Sequence, residues 1–410
     1  MNILILVQCY APEDVSGSVL VRELATDLVK IGHSVTIITV APNYPYGRVY
    51  PGYKNRILQK EWIEGVKVVR IWSFISPKKT FWRRIFHYGT FSVSAFYGGL
   101  FCPKPDIIVC FSPPLPLCLT AWLLSSLWRI PWLLQLEDIY PDAAVNTNIL
   151  RNQAVINFFS FVERFVYKRA THISVICDSF KKNLLNKGVP PQKITVIPVW
   201  SDSEVVKPLP RENAFRKQHQ LIGKFVVMYS GNLGITSCLE DVILAAALLK
   251  DCIDIRFVII GEGIKKNVLI EMAQQKGLSN VIFLPYQSRE LFPEMLAAAD
   301  VGLVTLNEQS HLSSLPSKIF NIMASARPVI AVAPQGSEIV NLVDNTQCGI
   351  TILPGRPDLL ATAIKSLCYA DPFVLEEMGK KGRIELETNF TRVKCVKQFE
   401  QMITSLLINR

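Results

Sequence analysis

The sequence predicts an α/β protein of two Rossmann-like domains facing a cleft. Its 410 residues are too many for one ordinary core, and half of them are hydrophobic, enough to fill two. Short all-apolar runs alternate with amphipathic stretches through both halves, the pattern of buried parallel strands joined by crossover helices. Between the halves, residues 201–222 hold two prolines, many charges and little periodicity, which reads as a linker. The expected division is therefore 1–200, a linker over 201–222, a second domain over 223–385, and a helical end over 386–410 that crosses back to the first domain.

Charge narrows the partners. Lys and Arg number 44 against 34 Asp and Glu, a net charge of +10. The basic residues are scattered without a run of five, which argues against nucleic acid and leaves an anionic membrane surface or a phosphorylated substrate. Ten cysteines occur without a C-x-x-C pair, as expected of free thiols in a reducing cytoplasm rather than a disulfide framework or a zinc site. The start, MNILILVQCY, reads as a first strand and not as a signal peptide. The apolar run from Pro113 to Leu136 is broken by Arg129 and Pro131, so it reads as a buried helix followed by a buried strand.

In the first half, residues 2–7 form a strand and Leu20, Leu24 and Leu28 mark one face of a helix. SVTIITV is the next strand, completing a βαβ unit without the G-x-G-x-x-G fingerprint. Gly17, within Ser16-Gly17-Ser18, places a glycine where a backbone can approach a ligand; the plainer reading is a turn. Residues 42–65 read as a long polar, aromatic loop, a candidate for acceptor binding. Phe81–Phe101 is an aromatic helix. Lys78, Lys79, Arg83 and Arg84 beside Phe81, Trp82 and Phe86 have the composition of an interfacial membrane patch, against the plainer reading of a core helix with a basic end. The strand in PWLLQLEDIYPDAA ends in Glu137, Asp138 and Asp142. Carboxylates at that edge of a parallel sheet suit proton transfer or hydroxyl binding, with helix capping as the alternative.

In the second half, KFVVMYSGNLG puts Ser230, Gly231 and Asn232 between strand and helix, where backbone N–H groups can hold a diphosphate. IRFVIIGEG repeats the pattern with Gly261, Glu262 and Gly263. NVIFLPYQ ends a strand at Pro285, Tyr286 and Gln287. The stretch Leu312–Glu338 organises the rest. Pro316 marks a helix start, and Ile319, Ile322, Met323 and Ala326 recur at helical spacing. Lys318 and Asn321 share another face, so Lys318 is a candidate phosphate cation or, more plainly, a solvated lysine. PVIAVA is a buried strand, and Glu338 opens the helix after Gly336, where an acid complements the helix dipole.

SGNLG, GEG, LPSKIFNIMA and PVIA occur in this order and at sensible spacing. Together they resemble family-4 glycosyltransferases of the GT-B fold, and within them the colanic-acid fucosyltransferase and fucosamine transferase group of exopolysaccharide and O-antigen biosynthesis. The resemblance covers nearly the whole chain, and its specific part is C-terminal. It implies a retaining glycosyltransferase taking a nucleotide-diphosphate sugar as donor and a saccharide or polyprenyl-diphosphate-linked acceptor. The sequence offers no D-x-D-like metal site in a credible place, so transfer without metal or other cofactor is expected. Two glutamates of the family pattern fall on Ser313 and Asn321; Asn321 can still meet a ribose hydroxyl. Ser314, Leu315 and Ser317 belong to the same donor block. Gly17 and Ser18 would face the donor diphosphate with Gly231 and Asn232. The loop after Ser230 lacks the family's usual Arg and downstream Lys, which leaves Lys318 as the main diphosphate cation. Glu262, Gly263 and Glu338 sit at donor positions, and Pro285 and Tyr286 would meet the base. The acidic D-x-x-P turn makes Asp138 the candidate acceptor contact and Glu137 the second. The location implied is cytoplasmic, peripheral on the inner face of the membrane. The competing readings are a sugar-nucleotide 2-epimerase on the same fold, for which only five His are present, and a non-catalytic scaffold of polysaccharide assembly.

Overall fold

The computed structural model describes residues 1–78, 80–147, 149–310 and 315–408. The chain forms two compact units, Met1–Pro198 with Val393–Arg410, and Val199–Arg392.

The first unit runs β1 (Asn2–Leu6), α1 (Ser16–Lys30), β2 (Ser34–Val40), β3 (Leu58–Ile63), β4 (Val66–Ile71), α2 (Phe81–Leu100), β5 (Ile107–Ser112), α3 (Leu115–Trp128), β6 (Trp132–Leu136), α4 (Asp142–Asn146), α5 (Gln153–Arg169), β7 (His172–Val175), α6 (Asp178–Asn186) and β8 (Ile194–Val196). Its sheet has the order β3-β4-β2-β1-β5-β6-β7-β8. The central strands read as all-apolar runs because helices cover both faces: Ile3 through Leu6 and Ile107 through Cys110 are buried throughout.

Strand β3 corrects the expectation of an unbroken loop over 42–65. It pairs antiparallel with β4 through a two-residue turn at Glu64 and Gly65, whose φ values are 50° and 79°. Positive φ at both positions gives a hairpin turn whose twist matches its strands. As an edge strand that exposes Trp62, LQKEWI lacks the apolar run that marks its buried neighbours.

The second unit runs α7 (Ala214–Gln218), β9 (Phe225–Ser230), α8 (Leu239–Leu248), β10 (Ile255–Ile260), α9 (Lys266–Gln275), β11 (Val281–Leu284), α10 (Phe292–Ala297), β12 (Val301–Thr305), α11 (Lys318–Ala324), β13 (Val329–Val332), α12 (Glu338–Thr346), β14 (Gly349–Ile352), α13 (Pro357–Cys368) and α14 (Pro372–Asn389). Its sheet is parallel, in the order β11-β10-β9-β12-β13-β14. Helix α15 (Arg392–Ile408) then belongs almost wholly to the first unit, where Glu400 lies 3.4 Å from His33.

Residues 201–222 are not a bare tether. Phe215 and Arg216 of α7 are buried, and Arg216 pairs with buried Asp300 at 2.5 Å. The stretch counts with the second unit, and the return to the first unit falls at residue 393 rather than 386.

Each sheet reverses its strand order once near its middle, at β1/β5 and at β9/β12. Crevices outside the carboxyl ends of strands at such reversals are where open α/β sheets hold ligands.

Candidate functional site

In the second unit, the loops after β9 and β10 are zipped together. Gly231 N–H donates to Ile260 O at 2.9 Å, and Leu233 N–H donates to Glu262 O at 2.9 Å. Gly231 and Gly261 adopt φ of 148° and 146°, a region open to glycine alone. A Cβ on Gly261 would stand 1.9 Å from Gly231 O, and one on Gly263 would stand 2.3 Å from Leu233 O. These two glycines therefore serve the loop-on-loop contact, and Gly263 needs no ligand to explain it. Glu262 pairs with Lys266 one helical turn on, at 2.6 Å. Ser230 closes β9, and the Tyr229 hydroxyl donates to Asn232 O at 2.9 Å, leaving the Asn232 side chain exposed.

Lys318 is the first residue of α11. Buried Ile319, Phe320, Ile322 and Met323 seat this short helix. A Cβ on Gly302 of β12 would stand 2.6 Å from Ile322, so that glycine lets α11 approach the sheet. The result aims Lys318 back over the end of β9. Its ammonium lies 3.5 Å from the centroid of the Tyr229 ring, and a Cβ on Gly231 would stand 2.7 Å from it. The Lys318 side chain is partly reachable by solvent, yet burial of its ammonium lowers the pKa to about 7. Among the described residues, no carboxylate stands within ion-pair distance of it.

The surrounding block departs from expectation in several places. Ala326 lies beyond the end of α11 with φ 52° and is not part of its apolar face. α11 has seven residues, so its N-terminus carries a smaller dipole than a long helix would supply. Asn321 Oδ1 accepts from Ser201 Oγ at 2.8 Å, tying α11 to the start of the second unit. Leu315 is half-buried and Ser317 is the N-cap residue. Glu338 opens α12 as expected. Pro285 and Tyr286 are exposed past β11, with the Tyr286 ring against Gly261. Ser313 and Ser314, like His311 and Lys79, lie outside the described residues.

In the first unit, Gly17 sits in the first turn of α1 with open space around it. Ser18 turns inward instead: it is 1% exposed, and its hydroxyl has no partner among the described residues. It is not placed to touch a ligand. Asp138 is half-buried, with its pKa raised to about 7 by burial and then by the charge of Glu137. Glu137 is itself raised by burial, while Gln135 Nε2 donates to its Oε1 at 3.1 Å. Asp142 has a structural partner set, accepting from Lys187 at 2.9 Å and from Asn183 at 3.0 Å.

Helix α2 divides. Phe91, Ala95, Gly98 and Gly99 are buried, whereas Trp82 and Phe86 are exposed beside Arg83 and Arg84. The helix is therefore core toward its C-terminal end and exposed, aromatic and basic at its start.

Sequence reasoning missed a buried hub beneath these loops. Glu13 accepts backbone N–H bonds from Tyr10 at 3.1 Å and from Asn43 and Tyr44 at 2.7 Å each. Buried Arg70 donates to the carbonyls of Val40 and Ala11 and pairs with Glu61 at 2.5 Å. The loops after β1 and β2 are thus clamped from below. An arginine inside the strand VKVVRI was the signal for it.

A cavity of about 430 Å³ opens at the amino ends of β9, β10 and β12. Its cations are matched: Arg211 and Arg216 by Asp300, and Lys224 by Asp254. It lies at the sheet end opposite Lys318 and offers no free charge to a ligand. Among the described residues, no three His, Cys, Asp or Glu cluster as metal ligands, and no helix is long and apolar enough to cross a membrane.

Two units of this topology, with Gly-rich loops at the reversal of the second sheet, form the two-domain GT-B fold. Residues 17–200 match the glycosyl transferase 4-like domain and residues 211–384 match glycosyl transferases group 1; the chain belongs to family 4 of these enzymes. It is 29% identical over 408 residues to WcaI of Escherichia coli K12, described as a colanic acid biosynthesis glycosyl transferase, covering 97% of this chain and 98% of that one. It is 28% identical to the glycosyltransferase WbjE of Pseudomonas aeruginosa, over 74% of this chain and 76% of the relative. Among solved structures, sucrose-phosphate synthase from Thermosynechococcus elongatus superposes with a TM-score of 0.80 at 17% identity, each chain covered in full. Anabaena HepE in complex with UDP-glucose superposes at 0.74 with 16% identity, over 99% of this chain and 100% of that one. At such identities the likeness is one of fold.

Proposed function

We propose that this enzyme transfers a sugar, with retention, from a nucleotide-diphosphate sugar to a lipid-diphosphate-linked saccharide in exopolysaccharide or O-antigen assembly. The observation that carries the donor half is Lys318. A cation held against the Gly231 loop, stacked on Tyr229 and without a carboxylate among the described residues, is a charge kept for a ligand. A leaving diphosphate supplies that charge, and its stabilisation is often the largest single catalytic effect. The reading gives this task to Lys318 and the Asn232 N–H rather than to a divalent ion, since the Gly231 N–H is already donated to Ile260 O. HepE was crystallised with UDP-glucose, and WcaI is described in colanic acid biosynthesis; both agree with this reading.

The acceptor is assigned to the first unit, where Asp138, close to neutrality in its titration, would take the proton of the attacking hydroxyl. Exposed Trp82 and Phe86 beside Arg83 and Arg84 would rest on an anionic, cytoplasmic-facing bilayer.

The test is a thermal-shift panel of UDP, GDP, ADP, TDP and CMP against wild type and Lys318→Ala. A ligand at a hundred times its Kd stabilises by about 2.7 kcal/mol. One diphosphate should stabilise wild type and lose most of that effect in the variant; no response to any of them removes the donor assignment.

A further inference from the structure

Lys318 opens α11, but a helix of seven residues takes its position from what it packs on rather than from itself. Its last carbonyls have no partner within the helix. One of them, Ala324 O, accepts from Nη1 of Arg383 at 2.6 Å. Arg383 is a half-buried residue of α14. Gly379 stands one helical turn before it, and a Cβ there would strike the Ala326 carbonyl oxygen. A Cβ on Gly382 would crowd Cys348 and Met323. Bare backbone at both positions lets α14 lie directly on the end of α11.

The other donors of Arg383 reach the first residues of the second unit. Nη1 also donates to Val206 O at 2.8 Å, Nη2 donates to Ser203 O at 3.1 Å, and Nε pairs with Glu387 at 2.6 Å. One guanidinium thus joins carbonyls of two separate segments, a task that suits several donors fixed in one plane. The same segment meets α11 a second time. Ser201 Oγ donates to Asn321 Oδ1 at 2.8 Å, and Ser201 N–H donates to Phe390 O at 3.1 Å. The Phe390 ring in turn lies 4.8 Å from that of Phe320. Phe320, Asn321 and Ala324 are therefore held from the side of α14 and residues 201–206, while Lys318 projects from the other end of the helix over Tyr229.

We propose that Arg383 is a positioning residue for the transfer reaction: by fixing the last turn of α11 it sets where the Lys318 ammonium stands over the Gly231 loop. This rests on the reading of Lys318 as the diphosphate cation and names what holds that cation in place. A loosened α11 lets the ammonium leave its position 3.5 Å from the Tyr229 centroid, and stabilisation of a leaving diphosphate depends on a charge held in advance where it is needed.

The experiment is a double-mutant cycle on UDP affinity, read by titration calorimetry, with urea midpoints recorded beside it. Wild type, Arg383→Met, Arg383→Lys and Lys318→Met are compared with Lys318→Met carrying each Arg383 change. Arg383→Met should weaken UDP about tenfold when Lys318 is present and not at all when it is absent, because it acts through that ammonium. Arg383→Lys keeps a donor for Ala324 O and should fall between wild type and Arg383→Met. A residue that serves only the fold would lower the urea midpoint and weaken UDP by the same factor in both backgrounds, and that result overturns the proposal. Where Arg383→Met fails to fold, Arg383→Lys takes its place in the cycle, and affinity equal to wild type then overturns the role. If Lys318→Met weakens UDP while the Arg383 variants bind it as wild type does, the positioning role falls and the donor reading stands. If Lys318→Met binds UDP as wild type does, both fall.

Discussion

The Lys318 ammonium stands 3.5 Å from the centroid of the Tyr229 ring and beside Gly231, at the carboxyl end of β9. The ring face favours a cation, while burial disfavours it, and burial dominates enough to lower the pKa to about 7. A bound diphosphate reverses that balance by supplying negative charge.

The sign of the pH effect follows. As pH rises through about 7, free Lys318 loses its proton and its attraction for diphosphate. Bound diphosphate raises the pKa again, so binding above neutrality takes up a proton. UDP affinity is expected to fall about tenfold per pH unit above 7 until the bound-state pKa is reached. Calorimetry at pH 8 in buffers of different ionisation enthalpy should show this uptake, and Lys318→Met should abolish it. Pairing with an unseen carboxylate would instead give flat affinity over pH 6–9.

Gly231 and Gly261 have similar backbone angles but different surroundings, so alanine at each should fail differently. At Gly231 the added methyl meets the flexible end of Lys318; at Gly261 it meets the Gly231 carbonyl at 1.9 Å. Both carry strain of about 1–3 kcal/mol from their positive φ. Gly261→Ala adds a backbone clash and should lower the urea midpoint well beyond Gly231→Ala. Gly231→Ala should keep most of the stability while losing UDP binding, because the ammonium must move. Equal stability losses with UDP binding retained in Gly231→Ala would show that Lys318 does not hold the nucleotide.

The order of strands and helices was legible because a parallel strand buried on both faces is an unbroken apolar run, as in IRFVII and VIAV. β3 was not, since an edge strand carries charges along its length. The loops after β9 and β10 and the position of Lys318 were readable from local pattern. Contacts between distant positions were not. Asn321 meets Ser201 across 120 residues, and Arg216 meets Asp300 across 84. The inward turn of Ser18 depends on the phase of α1, which three leucines set only approximately. Nothing in the sequence around Glu13 announces that three backbone N–H groups converge on it.

Asp138 titrates in the opposite functional sense to Lys318. Burial, then the charge of Glu137, raises it to about 7, so it is protonated below neutrality and ionised above. A base needs the ionised form, and transfer should therefore rise with pH through about 7 before the loss of the Lys318 charge turns it down. The profile should be bell-shaped, its acid limb belonging to the Glu137–Asp138 pair. Glu137→Gln removes a negative charge that opposes ionisation and should move that limb to lower pH. Asp138→Asn should remove most transfer while leaving UDP binding intact. An acid limb unmoved in Glu137→Gln would place the titrating base elsewhere.

Asp300 joins the segment before the second sheet to the sheet itself. It accepts from Arg216 at 2.5 Å, from Arg211 at 2.9 Å and from the Val226 N–H at 2.7 Å, and both Arg216 and Asp300 are buried. Removing one member of such a pair leaves an uncompensated buried charge, a loss of about 3–5 kcal/mol. Asp300→Ala takes from Arg216 its buried partner, leaving only the exposed Glu212 at 2.8 Å, and also orphans a strand N–H at the start of β9. Chemical denaturation should show that loss in the second unit. Replacing both partners by apolar residues, Arg216→Met with Asp300→Leu, removes the charges together and should recover most of the stability, because the cost arises from the unmatched charge and not from the absence of an ion pair. If the double variant is no better than Asp300→Ala, the N–H of Val226 and the surrounding packing, not the arginine, set the stability of this end of the sheet.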